Sequence, residues 1–293
     1  MDQSDGALGR VARPLRDLPA RLEGVEALDG VVGPLRDLAG RVAKPASPAN
    51  TALSGTWMGH PLHPLLTDVA IGSFTSALLM DLVGGRKRAK AADRLIFLGL
   101  IAAVPTAASG LNDWQTLSGP ESRVGVVHAA SNAVATTLFG ASWYSRKRGR
   151  RLRGRLLALA GAGATAMGGF LGGHLSYRRG VGVDRSAFAP DEEGWTTVAE
   201  ESELTESAPV RVDLGGLPVM VVRHQARIYA LANQCAHQGG PLCEGKVADG
   251  QVTCPWHGST FRLADGEALT GPSAHPQRSL QVRIQGGKVD LRL

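Results

Sequence analysis

Four residues in the last third of the chain have the types and the spacing of a metal site. Cys235 and His237 stand in Q-C-A-H-Q-G-G-P-L-C-E-G, and Cys254 and His257 in C-P-W-H-G-S-T-F. Each motif places an imidazole just behind a thiol, so together they offer four soft or borderline ligands at the tips of two loops. Two thiolates and two imidazoles could hold a tetrahedral zinc ion. They could equally hold a [2Fe–2S] cluster in which two His replace two Cys on one iron.

The neighbouring residues separate these choices. C-x-H followed by G-G-P-L, then C-P-x-H-G-S-x-F, resembles the Rieske family at nearly every motif position. The resemblance implies an all-β domain with a [2Fe–2S] cluster, Cys235 and Cys254 on one iron, His237 and His257 on the other. Gly239 and Gly240 would let the backbone approach the cluster and turn its amides toward sulfur, and Pro255 would stiffen the second loop. Ser259 is expected to donate its hydroxyl hydrogen to a cluster sulfur. Two features depart from the respiratory members of the family. Trp256 stands where a loop-linking disulfide would need its second Cys, leaving Cys243 single, and Phe261 stands where a Tyr would donate. With fewer donors to the reduced cluster, the potential should fall below the respiratory range, as in a Rieske ferredoxin. Gly271, Pro272 and Pro276 look like the proline loop that covers the cluster in this family. His224 and His275 lack ligand spacing and are expected at the surface.

The elements that must carry this site divide sharply. The chain has 293 residues, a formal net charge of +6, and only three Cys, too few for a disulfide framework. Apolar segments at 61–83, 95–111, 124–144 and 156–175 are each near the roughly 20 residues a bilayer-spanning helix needs. The positive charge gathers between the first and second (Arg86, Lys87, Arg88, Lys90, Arg94) and between the third and fourth (Arg146 to Arg155). That pattern favours a membrane protein over a nucleic-acid binder, and the positive-inside rule puts these two basic stretches in the cytoplasm. The expected protein is therefore a multi-pass cell-membrane protein with its cluster domain extracytoplasmic.

Short alternating runs at 196–198, 210–212, 218–224, 227–232, 251–253, 279–284 and 288–292 read as strands. The expected fold is thus multidomain: a four-helix transmembrane domain at 55–177, a linker at 178–194, and an all-β Rieske domain at 195–293. As a flexible coil the linker would span about 20–25 Å. Residues 1–54 hold a weak repeat, R-P-L-R-D-L-P-A-R-L and G-P-L-R-D-L-A-G-R-V, expected as short amphipathic helices opened by Pro14 and Pro34. They could lie on a membrane surface or pack on the rest of the protein. Residues 45–54 read as a further linker.

Four His fall in the helical part: His60 and His63 where the first segment begins, His128 early in the third, His174 late in the fourth. Alternating helix directions bring all four toward one membrane face, where they could ligate a haem b, hold another metal ion or meet a quinone. W-M-G-H-P-L-H-P-L-L-T-D-V-A-I-G, V-H-A-A-S-N and G-G-H-L-S-Y-R-R-G-V-G-V resemble the bacterial membrane proteins of domain-of-unknown-function family 2231. That family carries no established chemistry to transfer.

These readings converge on a carrier of single electrons that exchanges them with a haem, a quinone or a redox partner protein at the bilayer. A redox sensor or regulatory binding protein, or the ferredoxin component of an oxygenase system, are the alternatives. Too few residues follow the second motif to form a mononuclear-iron domain, so no catalytic domain of its own is expected. The choice of metal is decided by EPR of the reduced protein. We expect the signal of a [2Fe–2S] cluster with nitrogen ligands; an EPR-silent protein containing zinc would reverse the assignment.

Overall fold

The computed structural model describes residues 7–187 and 194–293, with side chains from Arg13 onward. It resolves into two compact units. One is His63–Val181 with the helices preceding Gly40, and the other is Gly40–Leu62 together with Gly182–Leu293. The stretch 188–193 of the expected linker lies outside the described residues, whereas Asp184 and Ser186 belong to the second unit.

Among the described residues, the longest helices of the first unit are α4 (Leu62–Val83), α5 (Arg86–Trp114), α6 (Gly119–Lys147) and α7 (Arg151–Gly173). With 22 to 29 residues in the first three, they run about 33 to 43 Å, enough to cross a hydrocarbon core. By length and composition all four could span a membrane. Their side chains are distributed inside out relative to a water-soluble bundle. Leu82, Ile101, Val104, Leu152 and Leu159 are exposed, while Ala70, Ala77, Ala92, Gly99, Ala135 and Ala158 lie inside. Small inner residues let helices approach closely where hydrocarbon is the solvent.

The helices extend past the apolar segments that announce them. Only Gly84 and Gly85 separate α4 from α5, so Arg86 to Arg94 occupy the first turns of a helix, not a loop. Hydropathy marks only the apolar middle of such a helix, and its cationic ends go unread. Pro105 is accommodated inside α5. Part of the charge is consumed within the fold. Asp81 takes both guanidinium nitrogens of the buried Arg146, and Asp93 meets Arg146 at 3.6 Å and Arg151 at 3.1 Å.

The N-terminal helices α1 (Ala7–Glu23) and α2 (Asp29–Val42) are longer than expected, with Pro14, Pro19 and Pro34 inside them rather than at their first turns. Leu22 packs on Val124, Leu171 and Leu175, and Val32 and Leu35 on Trp114 and Leu117. Arg123 binds Asp29 through two nitrogens and Arg36 donates to the carbonyls of Gln115 and Leu117.

Residues 45–54 are not a linker. Ser47 caps α3 (Pro48–Ser54) by accepting from the Asn50 N–H, Pro48 fits its first turn, and Gly55 ends it at φ 83°. This helix is part of the β unit.

Among the described residues, ten strands form two antiparallel sheets. With β1 at Thr196–Glu200, β2 at Val210–Leu214, β9 at Ser279–Gln285 and β10 at Lys288–Arg292, the larger has the order β1-β10-β9-β4-β3-β2 and the smaller β5-β6-β7-β8. Strand β3 (Leu217–His224) is buried on both faces, because Leu217, Val219 and Val221 enter one core while Met220 and Val222 enter another. Strand β4 (Arg227–Ala232) alternates likewise. Each fully buried Val or Leu of this kind contributes about 1.5–3 kcal/mol. The second core also contains Cys235 and Cys254, so the sheet side chains fix the site from below. Strands β5 (Lys246–Ala248), β7 (Thr260–Arg262) and β8 (Ala268–Thr270) went unread in the sequence.

The Asp81–Arg146 pair is buried on both sides. Replacing Arg146 with Met leaves the buried Asp81 carboxylate with only the half-exposed Arg155 at 3.5 Å, and we expect it to cost about 3 kcal/mol. Thermal unfolding in detergent measures this, and Asp81→Asn in the same chain should recover much of the loss.

Candidate metal centre

The two ligand loops are built alike. The first follows β4 and the second joins β6 (Gln251–Thr253) to β7. In the first, the Gly239 N–H donates to the Cys235 carbonyl at 2.7 Å, and the Cys235 N–H to the Gly240 carbonyl at 2.9 Å. In the second, Gly258 donates to Cys254 at 3.1 Å and Cys254 to Ser259 at 2.8 Å. Both turns close through a glycine four positions after the Cys, at φ 80° for Gly239 and 79° for Gly258, a region where only glycine is unstrained.

Closing the turns this way points the next amides inward. The N–H groups of His237 and Gln238 donate to the Cys235 sulfur, and those of Trp256 and His257 to the Cys254 sulfur. The sulfur donors are therefore the residues behind each Cys. Gly239, expected to supply one, spends its amide on closing the turn instead. Gly240 serves by its size: a Cβ there would stand 2.9 Å from the Cys254 sulfur and 3.0 Å from the Trp256 ring.

Both thiols are buried, at 1% and 3% exposure, and they meet each other. A hydrogen bond from the Cys235 thiol lowers Cys254 to about 7, the amides of Trp256 and His257 adding to this. The same contact, with burial, drives Cys235 upward. The pair thus gives up its first proton easily and resists losing the second until a cation arrives. The imidazoles of His237 and His257 lie edge to face, ring centres 5.1 Å apart, and are half-buried. Burial lowers His237 to about 3, and the neighbouring charges of His257 and Arg185 push the same way. Burial lowers His257 as well. Neutral imidazole is the form that ligates metal.

This donor set fits a [2Fe–2S] cluster. Among the described residues, no three His, Cys, Asp or Glu side chains are gathered as a single ion would require. The four candidate ligands instead divide into two thiols in contact and two imidazoles side by side.

The proline loop is held from two directions. The Ser273 N–H donates to Ser259 Oγ at 2.9 Å, which leaves the Ser259 hydroxyl hydrogen free to donate elsewhere. Thr56 donates to the Ser273 carbonyl at 2.8 Å, and the Gly271 N–H to Thr51 at 3.1 Å. Helix α3 and the turn after it thereby brace the loop; no metal-ligand spacing announces Thr51 or Thr56. Pro255 is exposed at the second loop, Trp256 is 57% exposed, and Cys243 is a free thiol.

The remaining His fall in different places. His224 is buried, contrary to expectation, because Gly250 donates to its Nε2 at 3.1 Å and its Nδ1 meets Ser207 at 2.9 Å. His275 donates to the Gly182 carbonyl at 3.1 Å and lies 6.1 Å from the His60 ring, both in the β unit. His174 binds Glu23 at 2.9 Å. Of the four membrane-domain candidates only His63 and His128 come together, with ring centres 6.4 Å apart.

Comparisons with known proteins agree with this geometry. Residues 194–282 match the family described as Rieske [2Fe-2S] domain, and residues 59–185 the predicted membrane protein family DUF2231. The chain is 30% identical over 99 residues to the anthranilate 1,2-dioxygenase ferredoxin subunit of Burkholderia cepacia, a match spanning 34% of this chain and 92% of that protein. It is 33% identical over 96 residues to apoptosis-inducing factor 3 of Mus musculus, which covers 33% of this chain but only 16% of that protein. Among solved structures, the ferredoxin of carbazole 1,9a-dioxygenase from Nocardioides aromaticivorans IC177 is 27% identical, covering 34% of this chain and 98% of its own, with a TM-score of 0.33.

Gly240→Ala should cut the iron bound per chain severalfold, because the added methyl enters the space between the two loops. Gly239→Ala, whose Cβ meets open space, should cost only about 1–2 kcal/mol of backbone strain and keep its iron. Iron analysis and melting of the two variants side by side check the contrast.

Proposed function

We propose that this chain, which belongs to the Rieske [2Fe-2S] family through residues 194–282 and carries a DUF2231 domain at 59–185, is a membrane-anchored carrier of single electrons. Cys235 and Cys254 hold one iron, His237 and His257 the other. When bound, the cluster accepts and returns one electron at a time. The observation that carries the reading is the pair of matched turns, which seal two thiols inside while leaving two imidazoles half-buried at the edge. That edge, with the exposed Trp256 beside His257, is where a redox partner protein docks.

The residues around the site hold and tune what is bound. Four backbone amides aimed at the two sulfurs offset the negative charge that reduction adds. Ser259 adds a hydroxyl donor, braced in place by Ser273. Phe261, buried in the same core, adds none.

Anchoring rests on the inside-out side chains of α4 to α7. Applied to the basic ends of α5, α6 and α7, the positive-inside rule places those ends in the cytoplasm and both termini, with the cluster domain, outside. Arg146 and Arg151 are partly neutralised by Asp81 and Asp93, but Arg86, Lys87, Arg88, Arg148 and Arg150 keep the asymmetry. The electron's other station is a partner protein, or a haem b or quinone held by the helices.

A second reading, the ferredoxin component of an oxygenase system, is favoured by the match over 92% of a dioxygenase ferredoxin subunit. Turnover separates the two. A soluble oxygenase reduced by this protein would favour the second, while reduction that requires membranes favours the first.

Redox titration of the detergent-solubilised protein tests the centre itself. A reversible one-electron wave that tracks the cluster EPR signal, at a potential below that of respiratory Rieske proteins, is expected, and an absence of that wave would sink the reading. Ser259→Ala should lower that potential by roughly 60 mV, the equivalent of one hydrogen bond of about 1.4 kcal/mol to the reduced form.

A further inference from the structure

Several inward contacts of the helical unit occur twice, although α6 and α7 pack much more closely than α4 and α5 do. Helices α4 and α6 face each other through three pairs, His63 with His128, Phe74 with Phe139 and Asp81 with Arg146, all at a constant offset of 65 positions. The Phe rings stack at 3.9 Å. The second helix of each hairpin repeats at an offset of 62. Gly99 of α5 lies against Phe74, and Gly161 of α7 against Phe139. Gly110 lies against His63, and Gly172 against His128. A buried Ala or Gly stands at the matching positions Ala92 and Gly154. A shared offset across ring, glycine and ion-pair contacts is what a pseudo-twofold axis running between α4 and α6 produces.

The two imidazoles obey the same symmetry. His63 Nδ1 lies 3.0 Å from the Thr106 carbonyl, and His128 Nδ1 lies 2.8 Å from the Gly168 carbonyl, again positions 62 apart. A carbonyl oxygen can only accept, so both rings carry their proton on Nδ1 and their lone pair on Nε2. A backbone carbonyl behind Nδ1 is the usual way a metal-binding His is oriented. Two imidazoles meeting one metal from opposite sides, at 2.0–2.1 Å each, would have ring centres roughly 6 Å apart; these are at 6.4 Å. Asn132 Nδ2 lies 3.2 Å from His128 Nε2, and a metal would replace that contact with a coordination bond.

We propose that His63 and His128 form a second metal site on the pseudo-twofold axis of the helical unit. Its occupant is a transition metal taking two neutral imidazole ligands, either a bare copper or iron ion or the iron of a haem. His60 and His174 are not part of it, the first lying in the other unit and the second bound to Glu23. This deepens the electron-carrier reading by naming a second redox centre, yet its ligands are independent of the cluster loops.

The test uses the full chain purified in detergent from cells supplied with copper, iron and haem precursor. Metal analysis and optical spectra are taken on wild type, Cys235→Ser, His63→Gln, His128→Gln and His174→Gln. One metal equivalent beyond the cluster irons is expected in wild type, and it should persist in Cys235→Ser, where the cluster is lost. Each of His63→Gln and His128→Gln should lose it while keeping the cluster EPR signal, and His174→Gln should keep both. A Soret band identifies haem; copper or iron without one identifies a bare ion. His63→Gly with free imidazole added should regain the metal, which separates a lost ligand from a lost fold. Wild type with a full cluster and no further metal would overturn the proposal, as would metal retained in both single Gln variants. Zinc in the cluster loops with metal still on the His pair would sink the carrier reading and leave this one standing.

Discussion

A sulfur that must take on negative charge inside a protein needs donors, and here each ligand sulfur receives two backbone amides. That requirement shapes everything around it. The amides point inward only if the chain turns tightly after each Cys, which puts Gly239 and Gly258 in the left-handed region. The turns in turn need a rigid base, supplied by β4 and by the small β5 to β8 sheet. Met220, Leu231, Val252 and Phe261 fill the space beneath with no polar group. Removing any layer would leave the amides free to rotate toward water, where they no longer favour the reduced state.

The site is also completed from far away in the chain. Thr56 reaches the Ser273 carbonyl across 217 positions, and Thr51 reaches Gly271 across 220. Sequence on both sides of the helical hairpins is therefore needed to brace one loop. Long-range closures of this kind form late and slowly. In the proposed topology they require the segment before α4 and the whole cluster domain to lie on the same side of the membrane, a condition that four crossings satisfy and three would not.

Much of this was legible in the sequence because chemistry constrains residue type. The sequence brings together the two thiols and two imidazoles, Gly240 is fixed by the Cys254 sulfur and Trp256 ring beside it, and Ser259 by the proline loop it binds. The role of Gly239 was misread, since φ and the destination of an amide depend on how the turn closes, and spacing alone does not say so. His224 read as a surface residue because its partners, Ser207 and the Gly250 amide, lie in other turns. Residues 45–54 read as a linker for want of hydrophobic content; a seven-residue helix capped by Ser47 and Gly55 needs little, and its neighbours supply the rest. Prolines within α1 and α2 were placed at helix starts because local preference favours that, whereas packing on α5 and α6 decided the outcome.

The repeated inward contacts of the helical unit were not legible at all, and the reason is physical. In a helix facing hydrocarbon, most outward positions accept any large apolar residue, so they retain no trace of a common pattern. Only the inward positions are constrained, and between α4 and α6 these come down to a His, a Phe, small residues at Ala70 and Ala135, and a charge at Asp81 and Arg146. The last pair shows why the symmetry is imperfect. Two identical charges facing each other across the axis would repel in a low-dielectric interior, so one copy must carry Asp and the other Arg. Identical aromatic rings, by contrast, can stack. Two neutral imidazoles can also coexist there, each held by its own carbonyl, with Asn132 against the lone pair of His128. A twofold axis inside an apolar helical unit thus sorts its residues by charge: ionic groups must differ across it, and neutral groups are free to match.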